Sequence, residues 1–416
     1  MAEPLYRSRP GAPYPAKLGI QKINNFVYLS EGLSNSFMLL TDEGRILINT
    51  GMGMEAPIHK QNFDSVSTTA TRYIILTQGH VDHVGGVDYL REEGTQVIAQ
   101  AGNAEHQAYD KRLAAFRGSR SAFAFREPLG DLMAYVQQEL GAPPAQAIPT
   151  PDISFEDRYE LQLGGLRVEL LGIAGGETND SLVVWLPDHR ICFPGNLFGC
   201  LFGHFPNLVT IRGDRYRDAL TVAEAIRRVR DLEPEHLMVG HHQPISGAKL
   251  IREELDRLHD ATLYVHDAVV AGMNNGSDVH TLMREIQLPP ELEVGQGYGT
   301  VPWSVRAIWE HYAGWFHHES TTELYPVPAR EVHSDWIELA GPDAIVQRAR
   351  ERFEGGEPVH ALQLLDVLLT RADAPSAALA LAVEIHQQLL EESVNFWLSA
   401  WLTEQIRLLE ARRAEA

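Results

Sequence analysis

Cysteine is nearly absent: Cys192 and Cys200 are the only two in 416 residues. That excludes a disulfide framework and a zinc site built from several thiolates. Positive charge is also scarce. Lys and Arg total 35 against 56 Asp and Glu, for a formal net charge of -21. A protein that grips a phosphate backbone or an anionic membrane surface needs a basic face, so neither nucleic acid nor membrane is expected as a partner. A small anionic molecule in a local pocket is not excluded by the overall charge. Long hydrophobic runs are missing too. No stretch approaches the roughly 18 apolar residues of a spanning helix. The opening Met1-Ala2-Glu3-Pro4-Leu5-Tyr6-Arg7 has no apolar signal core, so a soluble cytoplasmic protein is expected.

What the chain does have is histidine, 18 of them, several clustered. Its organisation changes near residue 248. Before that point, short β-branched runs at 26–29, 36–40, 45–48, 72–76 and 96–99 read as strands broken by turns such as Thr41-Asp42-Glu43-Gly44. A short helix is expected over 87–93, closed by Gly94. Residues 101–150 look less regular: Arg112, Arg117, Arg120 and Arg126 lie among Phe116, Phe123 and Phe125, and a Pro-rich loop follows. Strands resume at 167–171, 182–186, 190–193 and 236–239, with a helix over 216–232. After 248, Ile251, Leu255, Leu258, Thr262 and Val265 recur at steps of 4, 3, 4 and 3, the stripe of an amphipathic helix. Asn274-Asn275-Gly276 supplies a stop, and helices follow near 343–353, 358–371, 375–391 and 393–413. The pattern predicts a mixed α/β domain over 1–248 and an all-helical region over 249–416.

The chemistry concentrates in Thr77-Gln78-Gly79-His80-Val81-Asp82-His83-Val84-Gly85-Gly86. A buried strand runs into a polar loop, and paired glycines let the backbone turn. His80, Asp82 and His83 fall within one turn, and imidazole nitrogen with carboxylate oxygen is a ligand set that zinc accepts. Further polar groups follow later strands: Glu177 and Asp180, then Asn196, then His241 and His242. Layered α/β folds build their sites on loops at strand ends.

Thr-x-x-His-x-Asp-His-x-Gly-Gly resembles the signature loop of the metallo-β-lactamase superfamily, which implies an αββα sandwich with a one- or two-metal site at one sheet edge. Gly176-Glu177-Thr178-Asn179-Asp180 and Asn207-Leu208-Val209-Thr210-Ile211-Arg212-Gly213 are similar to motifs of its alkylsulfatase-type branch. Tyr298 to Arg306 and Gly314-Trp315-Phe316 resemble that branch's helical dimerisation domain. The likeness implies that His80 and Glu177 serve a first metal site, and Asp82, His83 and His241 a second. It implies that Arg212 and Asn207 bind an anionic group, and that the helical region makes a homodimer.

Three positions depart from the family pattern. Gln78 stands in place of a ligand His, Asn196 in place of the metal-bridging carboxylate, and Asn49 in place of a supporting Asp. Two adjacent dications repel, and a bridging anion offsets that. A neutral Asn196 is a poor bridge, so the second site is expected to be filled and the first weak or empty. The expected cofactor is one or two Zn2+, with another divalent metal open. The expected function is a metal-dependent hydrolase of an ester with an anionic group, an alkyl or aryl sulfate first, with Asp82 orienting the attacking water. A non-hydrolytic zinc lyase or isomerase of the same fold, and a degenerate metal-binding scaffold, remain open alternatives.

Overall fold

The computed structural model describes residues 15–139 and 141–415. The opening residues, for which the sequence shows no signal core, lie outside the described residues. Two sheets form the centre. The first runs in order β1 (Gln21–Lys22), β2 (Val27–Ser30), β3 (Ser36–Thr41), β4 (Gly44–Ile48), β5 (Thr71–Ile75), β6 (Gln96–Gln100) and β7 (Ile153–Phe155). It begins as an antiparallel meander and turns parallel from β4 onward. The second holds β8 (Arg158–Leu163), β9 (Leu166–Gly172), β10 (Leu182–Leu186), β11 (Ile191–Gly195), β12 (His236–Val239) and β13 (Ile245–Ser246), paired in that order. Only β11 and β12 pair in parallel there.

Strand alternation divides the core into layers. On β4, Ile46 and Ile48 face the second sheet and join Leu170, Val184 and Phe193. Leu47 points the other way, into a cluster with Phe63, Val84 and Leu90. Those come from helices α1 (Ala56–Asp64), α2 (Val81–Val84) and α3 (Val87–Leu90). On the far side, Val183, Trp185 and Leu237 pack against α5 (Ala219–Arg230) and α6 (Ala248–Asn274). The result is the expected αββα sandwich followed by helices.

The expected irregularity of 101–150 is not borne out over most of its length. A helix, α4, spans Asn103–Glu139. The first part of its cavity-lining face carries small residues, Ala114, Gly118 and Ala122, so the helical period there gives little hydrophobic signal. The short helix expected over 87–93 is α3, which ends at Leu90, and α2 precedes it.

The change of pattern at 248 is a change of secondary structure. The compact units divide later, at 312/313. Ile251, Leu255, Leu258 and Val265 on α6 share a core with the second sheet, as do residues of α7 (Val279–Glu285) and α8 (Val301–Ala313). The other unit, 313–416, holds α9 (His333–Ala340), α10 (Pro342–Glu354), α11 (Pro358–Leu369), α12 (Ser376–Glu392) and α13 (Phe396–Glu415) around Ala349, Leu365, Leu368 and Leu381. Among the described residues, no helix is long and apolar enough to cross a membrane.

Candidate metal centre

Both sheets deliver their polar loops to one edge. From the first sheet, β5 runs into the loop 76–80 and then α2, which carries Gln78, His80, Asp82 and His83. Asn49 follows β4 with φ 60, in the left-handed region. Its Oδ1 accepts the Thr77 N–H at 2.9 Å and the Thr77 hydroxyl at 3.0 Å, which fixes where the loop starts. From the second sheet come Glu177 before β10, Asn196 after β11 and His241 after β12.

Among the described residues, Asp82, His83 and His241 form a group whose ligand atoms lie within 4.8 Å of one another. Asp82 Oδ2 is 3.5 Å from His83 Nε2 and 3.6 Å from His241 Nε2. The two imidazoles meet at 89° with centroids 5.5 Å apart. His83 is fully buried, and neither of its ring nitrogens has a hydrogen-bond partner. An orphaned buried nitrogen is costly unless something binds it. Burial pulls the His83 pKa down to about 4, against the opposing effect of Asp82, so the ring is neutral, as a ligand must be. His241 donates Nδ1–H to the Leu33 carbonyl and accepts from Asn196 Nδ2 at 2.8 Å. Its Nε2 lone pair is thus held by the Asn196 amide and is freed for an ion when that side chain turns aside. With the His83 nitrogens orphaned and Asp82 beside them, the residues fit a divalent ion.

The neighbouring first-site positions also converge, but through amides. Gln78 Oε1 accepts the Asn196 N–H at 3.3 Å, so its Nε2 faces His80 Nδ1 at 3.0 Å. Glu177 Oε2 lies 3.7 Å from the same nitrogen. Burial holds the His80 pKa far below the ordinary value, with Arg212 adding to the effect. Asn207 donates Nδ2–H to Glu177 Oε1 at 3.2 Å. Arg217 donates to the carbonyls of Glu177 and Asn207. Its guanidinium is thus a brace for the Glu177 wall.

A cavity of about 670 Å³ opens onto this centre. Asp82, Glu177, Asn196, His241 and Arg212 line its polar end; Ala114, Gly118, Ala122, Phe125 and Leu129 of α4 line an apolar wall. Arg212 is paired only loosely with Asp214, at 3.8 Å. Burial alone would lower its pKa, but the charges of Tyr298, Asp214, Glu177 and Asp82 outweigh that and hold it above the ordinary value. Phe125 lines the cavity, whereas Phe116 is exposed. His204, a candidate proton donor by position, is buried against Gly295 and accepts the Gly297 N–H at 2.9 Å. His242 is buried beside the group, its carbonyl accepting from Asn35.

Sequence reasoning gave no role at the site to Tyr298, Arg117 or His106. Burial pushes the Tyr298 phenol well up, and Cys200 likewise, both beside Glu177. Arg117 pairs with Asp110 and with Asp214, the latter at 2.7 Å, and its guanidinium lies 4.4 Å over the Tyr109 ring. His106 sits 5.5 Å from His80, between Asp110 and Asp180. Tyr298 was legible only as part of the dimerisation-like segment, Arg117 and His106 lie in a stretch with no motif, and only the fold brings the three to the site.

Residues 29–241 match the metallo-beta-lactamase superfamily, and residues 278–410 match the alkyl sulfatase dimerisation family. The linear primary-alkylsulfatase of Pseudomonas sp. (strain ATCC 19151) is 27% identical over 345 residues, covering 79% of this chain and 65% of the relative. The alkyl/aryl-sulfatase BDS1 of Saccharomyces cerevisiae is 25% identical over 415 residues, covering 94% of this chain and 64% of the relative. The chain thus spans just under two-thirds of the length of these curated relatives. The solved structure of the stereoselective inverting sec-alkylsulfatase Pisa1 from Pseudomonas sp. superposes with a TM-score of 0.81 at 23% identity, over 94% of this chain and 66% of that one. The chain belongs to the metallo-beta-lactamase superfamily, within its alkylsulfatase branch.

Proposed function

We propose that this chain is a metal-dependent hydrolase of alkyl or aryl sulfate esters. One observation carries the reading: a half-buried, loosely paired Arg212 lines the same cavity as the Asp82–His241 edge of a ligand cluster and an apolar wall. A monoanionic head with a hydrocarbon body matches that division.

Asp82, His83 and His241 would hold one zinc ion, three protein ligands being the number catalytic zinc sites use. Bound there, the ion would supply Lewis acidity and lower the pKa of water by several units. Asp82, the ligand with most exposure, accepts a hydrogen bond from the attacking water and orients it. The Arg212 guanidinium offers two parallel N–H donors to the sulfate oxygens and takes up charge as the ester bond breaks. Asn207, with Arg217 behind it, keeps Glu177 turned to the first-site positions. Gln78 and Asn196 place neutral amides where a second dication needs charge, which supports one ion rather than two. The helical segment supports a homodimer, and the scarcity of cysteine agrees with a reducing cytoplasm.

The test is sulfate release from a medium-chain alkyl sulfate by protein of known metal content. One zinc per chain, activity lost on chelation and regained with zinc, is the expected result. A chain that holds one ion and releases no sulfate sinks the substrate reading; two tightly held ions sink the one-ion reading.

A further inference from the structure

One buried carboxylate lies close behind the metal centre without touching it. Glu55 precedes α1 and is fully buried. Its Oε1 accepts the N–H of Leu33 at 2.7 Å and of Ala16 at 3.0 Å, and its Oε2 accepts the N–H of Met52 at 3.1 Å. Three chain segments converge on one acid, and among the described residues no Lys or Arg side chain pairs with it. Burial raises its pKa to about 7, so it is a full carboxylate only above neutral pH; an acid kept there without a cation, held by three backbone N–H donors, points to a role beyond packing.

The Leu33 peptide connects it to the site. Its N–H points at Glu55, and its carbonyl accepts the Nδ1–H of His241. Gly32 makes the approach feasible, since a Cβ there would lie 2.9 Å from Glu55 Oε1. The next residues stitch the same segment to both ligand loops. Ser34 donates to the Asp82 carbonyl, and Asn35 Nδ2 donates to the carbonyls of Val239 and His242 at 2.9 and 2.7 Å.

We propose that Glu55 is a positioning residue for His241, acting through the Leu33 peptide. Hydrogen bonds in series polarise one another. A carboxylate on the peptide N–H makes the peptide carbonyl a stronger acceptor, which holds His241 in its Nδ1–H tautomer and leaves Nε2 unprotonated, the form that can bind a metal once the Asn196 amide turns aside. Metal-binding histidines commonly rest their other nitrogen on a carboxylate or a carbonyl. Here the two arrangements are joined end to end. The inference rests on the proposed role of His241 as a ligand.

Two readouts test it. The first is zinc affinity by chelator competition for the parent, Glu55→Gln and Gly32→Ala. Ser30→Ala, which perturbs the adjacent buried His59 pair and not the relay, serves as control. Glu55→Gln removes the charge but keeps the shape; Gly32→Ala keeps the charge but crowds Glu55 Oε1 and so parts the acid from the Leu33 N–H. Both are expected to weaken zinc binding by about 10- to 100-fold, the range for supporting groups of metal ligands, with Ser30→Ala unchanged. The second is 15N NMR of the His241 ring in metal-free protein. The parent is expected to show the Nδ1–H tautomer, and the two variants a mixture. Parent-like affinity and tautomer in both variants overturn the proposal, as does an equal loss in Ser30→Ala. Should the parent bind no zinc at all, the ligand reading fails, and the tautomer measurement still decides the relay.

Discussion

At the scale of single residues, two arginines close in sequence have different jobs. Arg212 faces the cavity, whereas Arg217 spends its donors on backbone carbonyls. Arg212→Lys keeps the charge but loses the planar fork. It is expected to lower kcat/KM for an alkyl sulfate by about 10- to 100-fold, within the range of one charged hydrogen-bond pair, with an unchanged melting temperature. Arg217→Ala should do the reverse in part, lowering the melting temperature as Glu177 and Asn207 lose their brace. A second residue-scale effect concerns His59, fully buried with Nδ1 2.7 Å from the Ser30 hydroxyl. Burial pulls its pKa from 6.5 to about 3. The unfolded ring takes up a proton as pH falls below its ordinary value, while the folded ring does not. Stability is therefore complete above that value and is lost on acidification, by about 2 kcal/mol from this group between pH 7 and pH 5. Urea midpoints of metal-free protein across that range should fall less steeply for His59→Gln than for the parent.

At the scale of elements, α4 shapes the apolar end of the cavity. A Cβ at Gly118 would meet nothing within 4 Å. Gly118→Ala is expected to raise stability by about 1 kcal/mol through helix propensity alone, with kinetics unchanged. Gly118→Leu should fill the wall and cut kcat/KM for long-chain esters by about tenfold while sparing short ones; a chain-length series measures this. The same helix shows what the sequence conceals. Ile251, Leu255, Leu258 and Val265 announce α6 because large apolar side chains mark its buried face. Ala114, Gly118 and Ala122 announce nothing, because the part of the wall that leaves room for a ligand has side chains too small to register. The ligand loops were legible for another reason: Gly85, Gly86 and the His-Asp-His spacing are local requirements. Glu55 and Tyr298 were not, since their roles arise from contacts between segments distant in the chain.

At the scale of the whole chain, composition excluded more than it specified. The deficit of positive charge argues against a broad basic face, and the sites identified are all local. The helical unit carries exposed apolar side chains, with Leu339 85% and Trp315 68% exposed. Under the proposed homodimer, Leu339→Asp together with Trp336→Asp should shift the light-scattering mass from dimer to monomer; an unchanged dimer would place the contact elsewhere. The boundary at 312/313 was hidden because helices after 248 continue to supply core to the strands before it.

The ligands themselves come from opposite sides of the sandwich: Asp82 and His83 follow the first sheet, His241 the second. An ion gripped by all three would rivet the halves together at their open edge. Its binding energy then becomes part of the cohesion of the α/β body, about 4 kcal/mol at a thousandfold excess over the dissociation constant. Calorimetry should find the first unit's transition climbing with added zinc and the helical unit's standing still, so that scarcity of metal would be felt as fragility before it was felt as slow turnover.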